Sequence, residues 1–182
     1  LLNSDSVIVS TRMYGDVSGV RRVRAEADSS MRDELLKWTS EMTRHFYNEP
    51  VHVTTDSVEV SRSNQVHDLA ATEGITATAA NIVQKPFSLT SEYTWQETVK
   101  VDFLGNERER AAAEVITFEY RLAMPGKIAS VQPVNAQVDG GSAIWTLNAA
   151  DLTNAEADFT VSATSTALRW DDDDPRHMRL TS

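Results

Sequence analysis

The chain contains no cysteine, which removes a disulfide scaffold, a thiolate nucleophile and a thiolate-ligated metal. It is also poor in positive charge: Lys and Arg total 17 against 27 Asp and Glu, and the net charge is −10. So acidic a chain is a poor match for nucleic acid, whose phosphates call for clustered Lys and Arg. Simple electrostatic adhesion to an anionic membrane is disfavoured for the same reason. No apolar run approaches the eighteen or so residues a membrane helix needs. No signal peptide is visible, and the start at Leu1 instead of a Met fits a leader or anchor removed from in front of it. The seven glycines are scattered, with no glycine-rich phosphate loop before a helix, and no Gly-x-Ser-x-Gly elbow supports a hydrolase serine.

What is present suits one globular unit. With 182 residues and 41% apolar content the chain can bury a full core without staples. Residues 1–168 are expected to form a single α+β domain. Residues 169–182, which carry Asp171, Asp172, Asp173 and Asp174, read as an acidic, self-repelling, flexible tail.

The elements follow from periodicity. Residues 7–28 suggest a β-hairpin, with Val7, Val9 and Met13 sharing one parity and Val23, Ala25 and Ala27 another, around a connection holding Gly15, Asp16 and Gly19. Met31, Leu35, Trp38, Met42 and Phe46 then recur at helical spacing, which predicts an amphipathic helix over residues 31–47, lying on the sheet. Val51, Val53, Val58 and Val60 change parity and imply a turn or bulge, and residues 75–83 have strand parity in small side chains. Tyr93, Trp95, Val99, Val101 and Phe103 alternate with polar residues, and Ile116, Phe118, Tyr120, Leu122 and Met124 do the same. These two runs are expected to pair antiparallel across the charged tip at residues 107–110. Pro125-Gly126 stops the second run, Asp139-Gly140-Gly141 marks a hairpin between residues 134–138 and 143–147, and Phe159, Val161 and Ala163 mark a last strand. The fold class expected is α+β, an antiparallel β-sheet with one main amphipathic helix packed on a face.

Chemistry is sparsely signalled. His45 follows Glu41 by one helical turn and His52 opens the next segment, so a hydrolase or metal-dependent enzyme around His45 and His52 stands as one alternative. The pair falls short of the three or four ligands a zinc site needs. A second alternative is a carrier of an apolar or lipid ligand in a helix–sheet cleft, with Leu35, Trp38, Met42, Trp95, Phe118 and Tyr120 as its walls; the same residues would equally fill a dry core. No catalytic residues, metal ligands or cofactor are assigned.

The run TFEYRLAMPGKIASVQPVNAQVDGGSAIWTLNAADL resembles the C-terminal half of LppM-type bacterial envelope lipoprotein ectodomains, mainly over residues 114–147. The matching positions are Met124, Pro125, Gly126, Asn135, Asp139, Gly140 and Trp145, and the opening LLNSDSVIVSTRMYGD is similar to that family's first strand. The lipidated cysteine and the C-terminal membrane helix of the family are absent from this segment. The resemblance implies an extracytoplasmic domain at the cell envelope or surface, tethered at one or both ends, with lipid or glycolipid binding as a role and no catalytic residues to carry over. The leading expectation is therefore a non-enzymatic extracytoplasmic binding or interaction domain, with a protein or a lipid or glycolipid as partner.

Overall fold

A β-strand with one covered face buries every second residue, as Ser6–Met13, Thr90–Val99, Thr117–Ala123 and Phe159–Leu168 do. The computed structural model describes residues 5–27, 33, 35, 36, 39, 58–66, 79–99, 114–152 and 159–168. Its strands are β1 (Ser6–Met13), β2 (Gly19–Ala27), β3 (Val58–Val66), β4 (Ala79–Gln84) and β5 (Thr90–Val99), then β6 (Thr117–Ala123), β7 (Lys127–Gln132), β8 (Gln137–Asp139), β9 (Ser142–Asn148) and β10 (Phe159–Leu168). They form a six-stranded sheet in the order β3-β2-β1-β6-β9-β8 and a four-stranded sheet in the order β4-β5-β10-β7. All pairings are antiparallel except β1 with β6, which run parallel.

One core cluster draws on both sheets, joining Val7, Val9, Phe118, Tyr120, Leu122 and Trp145 of the larger to Tyr93, Trp95, Val161 and Ala163 of the smaller. The two sheets thus lie face to face, and side chains of alternate parity interdigitate between them. Size alternates across the strand pair β5–β10: Ala163 lies directly opposite Trp95, and the small residue leaves volume for the indole. Each of the aromatic side chains is worth about 3–5 kcal/mol when truncated in such a core.

This architecture corrects the α+β expectation. The described residues are almost entirely strand, and among them no helix reaches seven residues. Asp33, Leu35, Leu36 and Thr39 are helical, Leu35 and Thr39 are buried, and the Thr39 hydroxyl donates to the Leu35 carbonyl at 2.8 Å. The remainder of the helix expected over residues 31–47 lies outside the described residues. The physical reason for the correction is that alternation reports only that one face of a strand is covered; a second sheet covers it as well as a helix does.

A second correction concerns pairing. β5 does not pair with β6: it lies between β4 and β10 in the smaller sheet, whereas β6 lies between β1 and β9 in the larger. The N-terminal hairpin, the β8–β9 hairpin and the last strand form where the sequence places them.

The chain passes from one sheet to the other at Pro125-Gly126, between β6 and β7. Gly126 has φ +71°, and a Cβ there would lie 2.1 Å from the Thr166 carbonyl oxygen. The turn is held by Ser165 Oγ, buried, donating to the Pro125 carbonyl at 2.8 Å. The β8–β9 turn docks against it: Met124 N donates to the Gly141 carbonyl at 2.8 Å and Ile128 N to the Gly140 carbonyl at 2.9 Å.

Candidate functional site

Two arrangements of polar side chains stand out, one inside the sandwich and one on its outer face. Inside, Arg21 of β2 and Glu97 of β5 fall on the inward parity of their strands and meet between the sheets. Arg21 Nη1 donates to Glu97 Oε1 at 2.7 Å, Nη2 donates to Oε2 at 2.5 Å, and Nε donates to Thr11 Oγ1 at 2.9 Å. The Tyr120 hydroxyl completes the group, accepting from Trp95 Nε1 at 3.2 Å and from Arg21 Nη2 at 3.3 Å while donating to Glu97 Oε2. Trp145 meets the Tyr120 ring edge-on, with centroids 5.9 Å apart, and its Nε1 donates to the Pro133 carbonyl at 3.0 Å.

The electrostatics follow from burial. Burial works to lower the Arg21 pKa, but the facing Glu97 carboxylate, Tyr120 and the hydrogen bonds outweigh it and hold the guanidinium charged, above its ordinary value. Burial first, and then the Glu97 charge, push the Tyr120 phenol upward, so it keeps its proton. A bidentate pair further bonded by Thr11 and Tyr120, with Trp95 in turn donating to the Tyr120 hydroxyl, satisfies the condition under which buried charges are tolerated. Its chemical capacity is that of a clamp between the sheets.

The outer arrangement lies on the solvent face of the six-stranded sheet. Register sets Arg22 opposite Ser10 and Ser10 opposite Arg121, while Arg12, two residues further along β1, has Val20 on one side and Ala123 on the other. Long arginines therefore stand around a floor of small residues, Ser10, Ala123 and Ser142, and enclose a concavity of about 570 Å3. Among the described residues its lining includes Arg12, Arg22 and Arg121 with Tyr14 and Ile144, and no carboxylate. Arg121 pairs with Glu119 of its own strand. Arg12 and Arg22 pair with no carboxylate among the described residues.

Of the side chains singled out from sequence, Leu35, Trp95, Phe118 and Tyr120 come together in the core cluster, each at most 1% exposed. Trp38, Met42, His45 and His52 lie outside the described residues, as do residues 169–182 and Trp170. Among the described residues no group of three or more His, Asp or Glu is placed to hold a metal, and no helix is long and apolar enough to cross a membrane. The outer arginines went unnoticed in the sequence. Their signal was present in part, since Arg22 and Arg121 alternate with buried Val23 and Tyr120. The parallel β1–β6 pairing that gathers them has no local signature.

The chain matches no protein-family model and no curated protein. Among solved structures, it is similar to the NMR structure of the folded domain of Mycobacterium tuberculosis LppM. The likeness covers 96% of this chain and 93% of that one, with a TM-score of 0.43 and 10% identity. It is a weak likeness of fold, and that is the level at which the resemblance read over residues 114–147 is met.

Proposed function

We propose that this domain holds a ligand without transforming it, outside the cytoplasm, and that the outer face of the six-stranded sheet is where it does so. One observation carries the reading: a concavity of about 570 Å3 opens on that face, its walls fixed by four adjacent strands, β2, β1, β6 and β9. A site built on paired strands is preorganised, so little ordering entropy opposes binding. The buried Arg21, Glu97 and Tyr120 bond to one another across the sheets, which supports a structural role for this cluster. The extracytoplasmic part of the reading rests on the likeness of residues 114–147 to envelope lipoprotein ectodomains.

Hydrogen exchange of the folded protein in the presence of an envelope extract tests the proposal. Protection is expected at residues 10–12, 20–22, 121–123 and 142–144, with the recovered ligand unchanged in mass. Protection confined to other strands, or a chemically altered ligand, would overturn it.

A further inference from the structure

We infer that the concavity on the six-stranded sheet is an anion site, and that its ligand is a compact molecule bearing two or more oxyanion charges of the phosphate or carboxylate type. The inference rests on the reading of that face as the binding face and names the class of ligand it takes.

The first support is a local inversion of charge. Carboxylates outnumber cations 27 to 17 in the chain, yet among the described residues the lining of the concavity holds three arginines and no carboxylate. Away from the concavity, two arginines among the described residues are paired, Arg21 with Glu97 and Arg24 with Glu26. Around the concavity only Arg121 has such a partner, Glu119 on its own strand, and Arg12 and Arg22 have none among the described residues.

The second support is geometry. Arg22 and Arg121 flank Ser10 in one cross-strand row, so their Cα atoms lie two strand spacings apart, roughly 10 Å. Guanidiniums reaching inward from both sides, with Arg12 above, can each present a fork of N–H donors to one multiply charged ligand. Small Ser10, Ala123 and Ser142 keep the floor open, and the Ser10 and Ser142 hydroxyls offer further donors. Val20 and Ile144 add apolar wall on opposite sides, suited to a carbon skeleton next to the charge. Like charges gathered across neighbouring strands repel in the empty site, and a bound oxyanion removes that repulsion.

Pyrophosphate in solution and vesicles of phosphatidylglycerol in phosphatidylcholine are the two probes. Pyrophosphate at millimolar concentration is expected to raise the melting temperature by several degrees, as a ligand of the folded state must, and to shift amides of β1, β2 and β6. The double variant R12Q/R22Q is expected to fold, to be no less stable than the wild type without anion, and to bind at least tenfold more weakly. Lys127→Gln, an exposed cation on β7 of the other sheet, is expected to respond as the wild type does and so controls for net charge. Pyrophosphate binding without vesicle binding assigns a soluble ligand. Vesicle binding that needs phosphatidylglycerol and is displaced by pyrophosphate assigns a headgroup. No pyrophosphate response, or an equal response in R12Q/R22Q, overturns the anion site. If the same strands are then protected by an uncharged ligand from the envelope extract, the binding face stands and only its ligand class falls; protection on other strands removes both.

Discussion

Glu97 has both oxygens occupied by Arg21 and accepts a third bond from Tyr120, so its contribution depends on all its partners at once. Arg21→Met alone leaves a carboxylate buried without its counter-ion and is expected to cost about 3–5 kcal/mol. The double variant R21M/E97L is expected to cost less than R21M, because removing both charges removes the desolvation penalty with them; denaturant titration of the three proteins reads the difference. Tyr120 makes a pH prediction. The folded phenol keeps its proton above the ordinary value of 10.0, where the unfolded chain has lost it. Folding there takes up a proton, so stability is intact below pH 10 and falls as pH rises beyond it. The limiting slope is about 1.4 kcal/mol per pH unit, and Tyr120→Phe is expected to flatten it; equal slopes above pH 10 would show the phenol ionising in the folded state. The sequence held a signal for this cluster. Arg21 shares parity with buried Val23, and Glu97 shares parity with Trp95, so two opposite charges sit where apolar residues belong. Alternation says which way they point, whereas their meeting depends on the sheets being stacked.

At the scale of elements, turns were more legible than coverings. Pro125-Gly126 and Asp139-Gly140-Gly141 stop strands by local chemistry that needs no knowledge of the fold, and both turns stand where the residues put them. The helical spacing of residues 31–47 concerned a local period as well, but the inference from it to an α+β layer required knowing what covers the sheet. The same limit applies to β5 and β6, read as neighbours and found in opposite sheets. The outer site was illegible for that reason, since Arg121 joins Arg12 and Arg22 of the N-terminal hairpin only through the parallel β1–β6 contact. The two turns also differ in what they tolerate. Gly126→Ala would set a methyl against the Thr166 carbonyl and force a positive φ, and is expected to destabilise by more than about 3 kcal/mol. Gly140→Ala has φ +56° and nothing within 4 Å of the added carbon, so it should lose only the ~1–2 kcal/mol of the left-handed conformation. Thermal melts of the two variants separate a crowded turn from an open one, and equal losses would mean that φ alone matters at both.

In the whole molecule, stability is expected to be graded from the middle of each sheet to its edges. Among the described residues β2, β1, β6 and β9 of the larger sheet and β5 and β10 of the smaller have a strand on both sides, whereas β3, β8, β4 and β7 stand at edges. Amides of the inner six are expected to exchange only through global unfolding, with three-residue β8 exchanging soonest; comparable protection in β8 and β1 would contradict the grading. The sequence supplied the single domain-sized composition and most strand positions, but strand order depends on contacts between distant segments. β1 illustrates the distance involved. It is complete at Met13, and its parallel partner begins at Thr117. A ribosome adding roughly 5–20 residues per second needs on the order of 5–20 s to make the stretch between them. For that interval the nascent chain carries β1 with one side unclosed, displaying apolar Val7 and Val9 beside free backbone groups, the kind of edge that recruits other strands. The parallel pairing that gathers the arginines in the finished protein therefore also sets a window of vulnerability during its synthesis.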